Sequence, residues 1–121
     1  MARQLEIVYQ NDTCSDGAGT VSADSTSEQA MKVSGDNTCA PQTDKSGAIK
    51  GWLLDSKVSG LTCTTCSGGY LRFTAIGGGA IVGSEIEVGA DAFPTAYTSG
   101  VKRGLITRMD GTKYIVKMYD V

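Results

Sequence analysis

Four cysteines are the residues of this sequence whose chemistry is most distinctive: Cys14, Cys39, Cys63 and Cys66. A zinc site would need four thiolates that converge tetrahedrally, usually from two Cys-x-x-Cys pairs, and only Cys63 and Cys66 have that spacing. A thioredoxin-type redox site would need its first cysteine at a helix N-terminus, whereas this pair lies between a strand-like stretch and Ser67-Gly68-Gly69. Four interpretations stay open: a zinc site, redox chemistry, structural disulfides that join Cys14 to Cys39 and Cys63 to Cys66, and free buried thiols.

The sequence contains no histidine, which narrows the catalytic chemistry available to it. Histidine is the commonest general base and the commonest zinc or copper ligand, so Ser-His-Asp, Cys-His and HExxH sites are excluded. The run Gly77-Gly78-Gly79 has neither of the glycine patterns of phosphate-binding loops, and the loop aspartates lack EF-hand spacing. We therefore expect a protein that is not an enzyme, with no catalytic residues, no cofactor, no metal site and no small-molecule substrate.

Length and charge set further bounds. The 121 residues include 11 Lys and Arg against 13 Asp and Glu, a formal net charge of −2, without a block of either sign. Neither a nucleic acid nor a membrane is therefore an expected partner. No segment approaches the ~20 apolar residues needed to cross a bilayer. The start of the chain does not read as a secretory signal peptide, so synthesis in a cytoplasm, or a mature form, is expected.

Short alternating runs bounded by turn residues predict an all-β fold, a small barrel or sandwich. The predicted strands after the first are residues 30–33, 48–54, 61–65, 70–74, 80–88, 101–108 and 113–119. Asp110-Gly111 between the last two predicts a hairpin with a type I′ turn, because Asp-Gly supplies the positive φ angles that this turn requires. Segment 1–10 is predicted as an amino-terminal arm or edge strand, segment 11–29 as a long polar surface loop, and segment 30–121 as a single β domain.

A strand unit occurs twice within that domain. Ser46-Gly-Ala-Ile-Lys-Gly-Trp-Leu53 aligns with Ser99-Gly-Val-Lys-Arg-Gly-Leu-Ile106 at an offset of 53, and the predicted halves are 31–74 and 80–121. The same offset places 40–41 on 93–94 and 61–63 on 114–116, whereas 33–36 falls on 88–91 with a two-residue slip. Structural glycines are expected at Gly51 and Gly104 inside strands and at Gly111 in a turn, and the predicted core includes Trp52, Leu54, Ile106 and Val116.

These stretches resemble the small capsid decoration, or cement, proteins of tailed bacteriophages. The matching segments are Val33-Ser-Gly-Asp-Asn-Thr-Cys-Ala-Pro41, Ser46-Gly-Ala-Ile-Lys-Gly-Trp-Leu-Leu54 and Val58-Ser-Gly-Leu-Thr-Cys63, and the last part recurs in Gly104-Leu-Ile106 with Tyr114-Ile-Val-Lys117. The resemblance implies a homotrimeric virion protein on the capsid exterior, made in the host cytoplasm, that bridges neighbouring major capsid protein subunits and stabilises the shell.

The resemblance also gives the amino-terminal arm a role. Such arms often pair as an added strand with the capsid or a neighbour, which would place Arg3, Leu5, Ile7 and Tyr9 at the interface. Deletion of residues 1–10 is then expected to leave a folded domain that no longer decorates capsids. The alternative function is another virion or cell-surface assembly protein, such as a tail-tube, fibre or adhesin module.

Overall fold

Twelve short strands in two six-stranded sheets form the protein, in a computed structural model that describes residues 2–8, 14–15 and 19–119. The strands are β1 Glu6–Ile7, β2 Cys14–Ser15, β3 Thr20–Val21, β4 Ala30–Gly35, β5 Thr38–Pro41, β6 Gly51–Leu53, β7 Thr65–Cys66, β8 Tyr70–Phe73, β9 Glu85–Val88, β10 Pro94–Ala96, β11 Gly104–Asp110 and β12 Lys113–Met118. One sheet, sheet A, has the order β1-β8-β12-β11-β9-β10. The other, sheet B, has the order β2-β7-β6-β4-β5-β3.

The predicted all-β class, a small barrel or sandwich, is confirmed, and each predicted run contains a strand or part of one. Four strands were not predicted: β2, β3, β5 and β10. The prolines of the chain, Pro41 and Pro94, lie in β5 and β10, at the last position of one strand and the first of the other. Proline lacks an N–H for the strand ladder and therefore argues against a strand in a sequence, although strand ends tolerate it.

The two sheets repeat one arrangement of five strands. Sheet B contains β2-β7-β6-β4-β5, and sheet A contains β8-β12-β11-β9-β10, with corresponding strands in the same order along the chain. In both sheets the second strand of the unit forms a hairpin with the third and pairs on its other side with the fourth. The protein is therefore built from two similar strand units, and β1 and β3 are additions at their edges.

The register of the two units agrees in detail. Met31 pairs with Gly51 in sheet B, and Ile86 pairs with Gly104 in sheet A. Met31 corresponds to Ile86 at an offset of 55 (86 minus 31), and Gly51 corresponds to Gly104 at an offset of 53 (104 minus 51). The two-residue slip in the alignment of the units therefore lies between their second and fourth strands. The turns that lead into β4 and β9 also match, because Gln29 N donates to Thr26 O at 3.1 Å and Ser84 N donates to Ile81 O at 2.9 Å.

Two of the predicted equivalences are wrong by two residues. Val33 pairs with Cys39 and Val88 pairs with Pro94, so Pro94 corresponds to Cys39 and not to Pro41. The slip therefore continues through the third strand of the unit. Segment 61–63 does not correspond to 114–116 either, because the strand that corresponds to β12 is β7, which begins after residue 63.

Side chains from both sheets form a main core, and a smaller core lies against sheet B. The main core contains Leu5, Ala30, Trp52, Cys66, Leu71, Phe73, Ile76, Ala80, Ile86, Val88, Ile106, Val116 and Met118. The smaller one contains Val21, Met31, Cys39, Leu53 and Cys63. Successive side chains of a strand point to opposite faces, so neighbours such as Trp52 and Leu53 in β6 contribute to different cores.

The prediction that segment 11–29 is a surface loop is wrong for its described part. That part contains β2 and β3, Val21 is 1% exposed, and Ser27 and Glu28 are fully buried. Ser27 is polar, yet its hydroxyl is satisfied, because it accepts from Leu5 N at 2.8 Å and donates to Leu54 O at 2.6 Å. The packed domain therefore includes residues before position 30, and it also includes Leu5 of the arm.

The predicted hairpin between the last two strands is present, but its turn is shifted by one residue. Asp110 pairs with Lys113 as the last rung, so the two loop residues are Gly111 and Thr112. Gly111 has a φ of +61°, and Thr112 is not among the described residues with positive φ. A positive φ at the first loop residue alone is the pattern of a type II′ turn, so the type I′ prediction is wrong.

Candidate functional site

The amino-terminal segment lies against sheet A as its edge strand. Glu6 pairs with Arg72 and Ile7 with Leu71, so β1 is antiparallel to β8. Leu5 is 1% exposed and belongs to the main core, whereas Ile7 is 40% exposed. Tyr9, the fourth predicted interface residue, lies outside the described residues. Of the predicted arm residues, only Ile7 therefore presents a large apolar side chain at the surface of the described part.

The start of the arm is held by a buried carboxylate. Glu28 is fully buried, and both of its carboxylate oxygens accept one bifurcated hydrogen bond from Thr74 N at 3.0 Å, while Oε1 also accepts from Arg3 Nη1 at 2.8 Å. Arg3 also donates to Ala75 O at 3.0 Å, and its guanidinium carbon lies 3.9 Å from the ring centroid of Phe93. A buried charge is stable only when it is paired and hydrogen-bonded, and here the arm supplies the partner. Arg3 is thus used for internal contacts.

Charged side chains connect β1 to the outer face of sheet A. Glu6 accepts hydrogen bonds of 2.6 Å from Lys113 Nζ and from Arg72 Nη2, and Arg72 also pairs with Asp110. The bond from Lys113, and then that from Arg72, hold the pKa of Glu6 below its ordinary value. These contacts join β1, β8, β11 and β12, so they fix the arm laterally.

The outer edge of β1 is open in the described structure. Val8 N donates to Tyr70 O at 3.1 Å, so the backbone of Val8 faces β8. Backbone groups alternate in direction along an antiparallel strand, and the N–H and C=O of Ile7 therefore point away from β8. Sheet A ends at β1. This edge, with the half-exposed side chain of Ile7 beside it, can accept another strand.

Two turns also expose apolar side chains. Val58 and Leu61 are 59% and 49% exposed in a turn closed by a 3.2 Å bond from Leu61 N to Val58 O. Ile81 and Val82 are 69% and 50% exposed in the turn that leads into β9. In the first unit the corresponding residues are Thr26, which is polar and exposed, and Ser27, which the arm and segment 53–56 cover.

The cysteines pair differently from the prediction. Cys14 and Cys66 form a disulfide between β2 and β7, which are neighbours in sheet B. Cys39 and Cys63 are both buried, with free thiols whose sulfur atoms lie 2.9 Å apart. The expected pairs Cys14–Cys39 and Cys63–Cys66 are therefore wrong. The Cys-x-x-Cys motif is divided, because each of its cysteines contacts a different upstream cysteine.

Two of the predicted structural glycines, Gly51 and Gly104, lie where a side chain would collide with neighbouring atoms, and the third, Gly111, lies in a turn. A Cβ on Gly51 would lie 2.7 Å from Cys66 O, and one on Gly104 would lie 2.7 Å from Val116 Cγ1 and 2.9 Å from Lys117 O. Gly111 begins the hairpin turn described above. Of the predicted core residues, Trp52, Ile106 and Val116 are buried, and Leu54 is partly buried against the main core.

Three buried charged residues were not found from the sequence: Glu28, Glu87 and Arg103. Burial alone would raise the pKa of Glu87, but hydrogen bonds from Gly100 N and the Thr98 and Ser99 region hold that pKa below its ordinary value. Arg103 donates to Gly47 O at 2.6 Å, and burial lowers its pKa. Of the three, only Arg103 stands out in the sequence, because the repeat aligns it with another basic residue, Lys50.

The depressions of the surface are open. Two of them have volumes of about 460 and 550 Å³, and Gly89, Ala90 and Thr95 line both. Within residues 2–8, 14–15 and 19–119, no group of three or more His, Cys, Asp and Glu side chains could hold a metal ion. The same residues contain no helix long and apolar enough to span a membrane.

In comparisons with known proteins, no protein-family model and no curated protein matched this chain.

Proposed function

We propose that this chain is a structural protein of a tailed-phage virion, which binds the outer surface of the capsid and stabilises it by bridging major capsid protein subunits. The observation that carries the proposal is the open edge of β1. Its backbone N–H and C=O at Ile7 point outward, next to an apolar side chain that is 40% exposed. Strand addition at such an edge supplies main-chain hydrogen bonds and needs no catalytic group.

The contacts that hold the arm against the domain support binding through a rigid strand edge rather than through a flexible tail. Leu5 is part of the main core, and Arg3 neutralises the buried carboxylate of Glu28. Deletion of residues 1–10 would therefore remove a core side chain and leave a buried charge without its cation. The truncated chain is therefore not expected to fold as the intact domain does, and a smaller change is needed to test the proposal.

Ile7→Pro is that change. Proline at position 7 removes an N–H that points away from β8, so the bonds between β1 and β8 are retained, and proline is tolerated at such edge positions. Ile7→Lys blocks the edge in a second way, because a charge disfavours strand pairing there. Ile7→Val is the matched control, since it keeps both the backbone donor and an apolar, β-branched side chain.

The experiment mixes each purified variant with expanded capsids of the virus that encodes the protein and measures the bound copies after sedimentation. We expect the wild type and Ile7→Val to bind equally, and Ile7→Pro and Ile7→Lys to bind at least about tenfold more weakly. Circular dichroism melting of the four proteins checks that they are folded. Wild-type protein that stays in the supernatant would overturn the proposal, and its co-sedimentation with tails or fibres would favour the alternative assembly role.

Native mass measurement addresses the proposed assembly state. A decoration protein that bridges subunits around threefold positions is expected to be a homotrimer. A mass three times that of the chain, in the wild type and in Ile7→Val, would agree with this. A monomer at the concentrations that saturate capsids would contradict the trimer while leaving the capsid-binding test to decide the function.

A further inference from the structure

Cys39 and Cys63 form a buried thiol pair in the smaller core. Their sulfur atoms lie 2.9 Å apart, and the two residues are 0% and 1% exposed. The Cys63 sulfur also lies 3.4 Å from Gly19 O. The other members of this core, Val21, Met31 and Leu53, are apolar.

The backbone on both sides of the pair is fixed. Cys39 lies in β5, the last strand but one of sheet B, where it is held between β4 and β3. Cys63 lies in the segment between β6 and β7, which folds over β3: Val21 N donates to Leu61 O, Gly60 N to Val21 O, and Cys63 N to Gly19 O, all at 2.8–2.9 Å. The fold therefore brings the two sulfur atoms together through bonds that do not involve them.

We propose that Cys39 and Cys63 form a second disulfide when the protein folds in the presence of a small-molecule disulfide such as oxidised glutathione. The cross-link would fasten segment 54–64 to β5 and would give the first strand unit two disulfides, whereas the second unit contains no cysteine. The proposal is independent of the proposed function.

The reaction is two successive thiol–disulfide exchanges. The thiolate of one cysteine attacks a sulfur of the small disulfide, which forms a mixed disulfide and releases one small thiolate. The thiolate of the other cysteine then attacks the protein sulfur of the mixed disulfide and releases the second small thiolate. The two protons of the protein thiols end on the two released thiolates. Overall, two protein thiols are oxidised and one small disulfide is reduced.

The proposed disulfide forms during folding rather than afterwards. Burial, and then the contact with Cys63, raises the pKa of Cys39 to about 12. In the folded, reduced protein Cys39 therefore has very little of the thiolate that attacks, and both cysteines are buried from the oxidant. We expect oxidation to be fast in refolding protein and slow in protein that is already folded and reduced.

The test uses a variant in which only one pairing can occur. In Cys14→Ala/Cys66→Ala, the remaining cysteines are Cys39 and Cys63, in tryptic peptides 33–45 and 58–72. The matched control is Cys39→Ala/Cys63→Ala, which keeps the disulfide between Cys14 and Cys66. Each protein is denatured, reduced, and refolded with oxidised and reduced glutathione, and its intact mass, free thiols and peptides are measured.

We expect the first variant to lose about 2 Da, to contain no free thiol, and to give the two peptides as one linked species. Free thiols at both cysteines of the refolded variant, with native circular dichroism, would overturn the proposal. Should the variant not fold, the full chain decides: no free thiols in the wild type and one in Cys39→Ala are expected. Two free thiols in the refolded wild type, or a link between Cys63 and Cys66, would also refute the pairing.

Discussion

Arg3 Nη1 lies 2.8 Å from Glu28 Oε1, and this bond joins the start of the chain to a carboxylate that is fully buried. Glu28 has a φ of +80°, a conformation that non-glycine residues seldom adopt, and the corresponding position in the second unit is Gly83, with a φ of +95°. The backbone turn is thus common to both units. In the first unit the side chain at that position also binds the arm and Thr74 N.

Removal of the Arg3 side chain should destabilise the protein. Arg3→Ala leaves the Glu28 carboxylate buried without a cation, and loss of one partner of a charged hydrogen bond costs about 2 kcal/mol. Urea denaturation measures the free energy of unfolding. Lys117→Ala, which removes an exposed cation from β12, is the control and should change that free energy by less than about 0.5 kcal/mol. Equal stability of the two variants would contradict the role given to Arg3.

The ion pairs of Glu6 should make stability depend on pH. The pKa of Glu6 is lower in the folded protein than its ordinary value of 4.5, chiefly because of Lys113 and then Arg72. Such a carboxylate stabilises the protein fully above pH 4.5, and this contribution is lost as the pH falls through the folded pKa. Glu6→Gln should therefore lower the melting temperature at pH 7 by about 2–4 °C, because partly exposed pairs contribute little.

The difference between Glu6→Gln and the wild type should disappear in acid. It should also shrink in about 1 M salt, which screens charges that are partly exposed to solvent. Melting curves at several pH values in both salts measure it. A difference that persists unchanged below the folded pKa would mean that packing of the side chain, rather than its charge, stabilises β1.

The disulfide between Cys14 and Cys66 should contribute to stability through the unfolded state. The two cysteines are 52 residues apart, and closure of a loop of that length corresponds to about 4 kcal/mol in the chain-entropy model. Cys14→Ala/Cys66→Ala should lower the free energy of unfolding by up to that amount. Unfolding of the wild type with and without reductant gives an independent value, and no effect of either change would contradict the pairing.

Gly104→Ala should destabilise the contact between β11 and β12. The new methyl group would lie 2.7 Å from Val116 Cγ1 and 2.9 Å from Lys117 O, and insertion of a methyl group into such a space costs about 1–3 kcal/mol. Gly77→Ala is the matched control, because its nearest contact would be an ordinary 3.4 Å to Thr95 Oγ1. Thermal melting should show a larger loss for Gly104→Ala, and equal melting temperatures would refute the close approach.

Features that depend on neighbouring residues could be predicted from the sequence. The last strand was located from its local residues, and Val116, a predicted core residue, is buried in β12. The last hairpin was found because Gly111 lies between two regular runs. The repeat was found from Gly51 and Gly104, which occupy the same register in both units.

Features that depend on the order of strands in a sheet could not be predicted. Cys14 meets Cys66 because β2 pairs with β7, and β2 has only two residues, too few for a periodic pattern. Segment 19–29 looked like a loop because its residues are small and polar. Its buried members are satisfied by distant partners, as Ser27 is by Leu5 and Leu54, and such partners are not visible in local sequence.

The position of β8 between the first and last strands has a mechanical consequence. Both β1 and β12 are antiparallel to β8, so they run in the same direction on either side of it. A force applied at the start of β1 and at the end of β12 pulls these two strands in opposite directions along their axes. Both ladders with β8 are then loaded in shear, so their hydrogen bonds resist together instead of opening one after another. Stretching single molecules from these two ends should therefore require a higher force than pulling the hairpin of β11 and β12 apart from its open end.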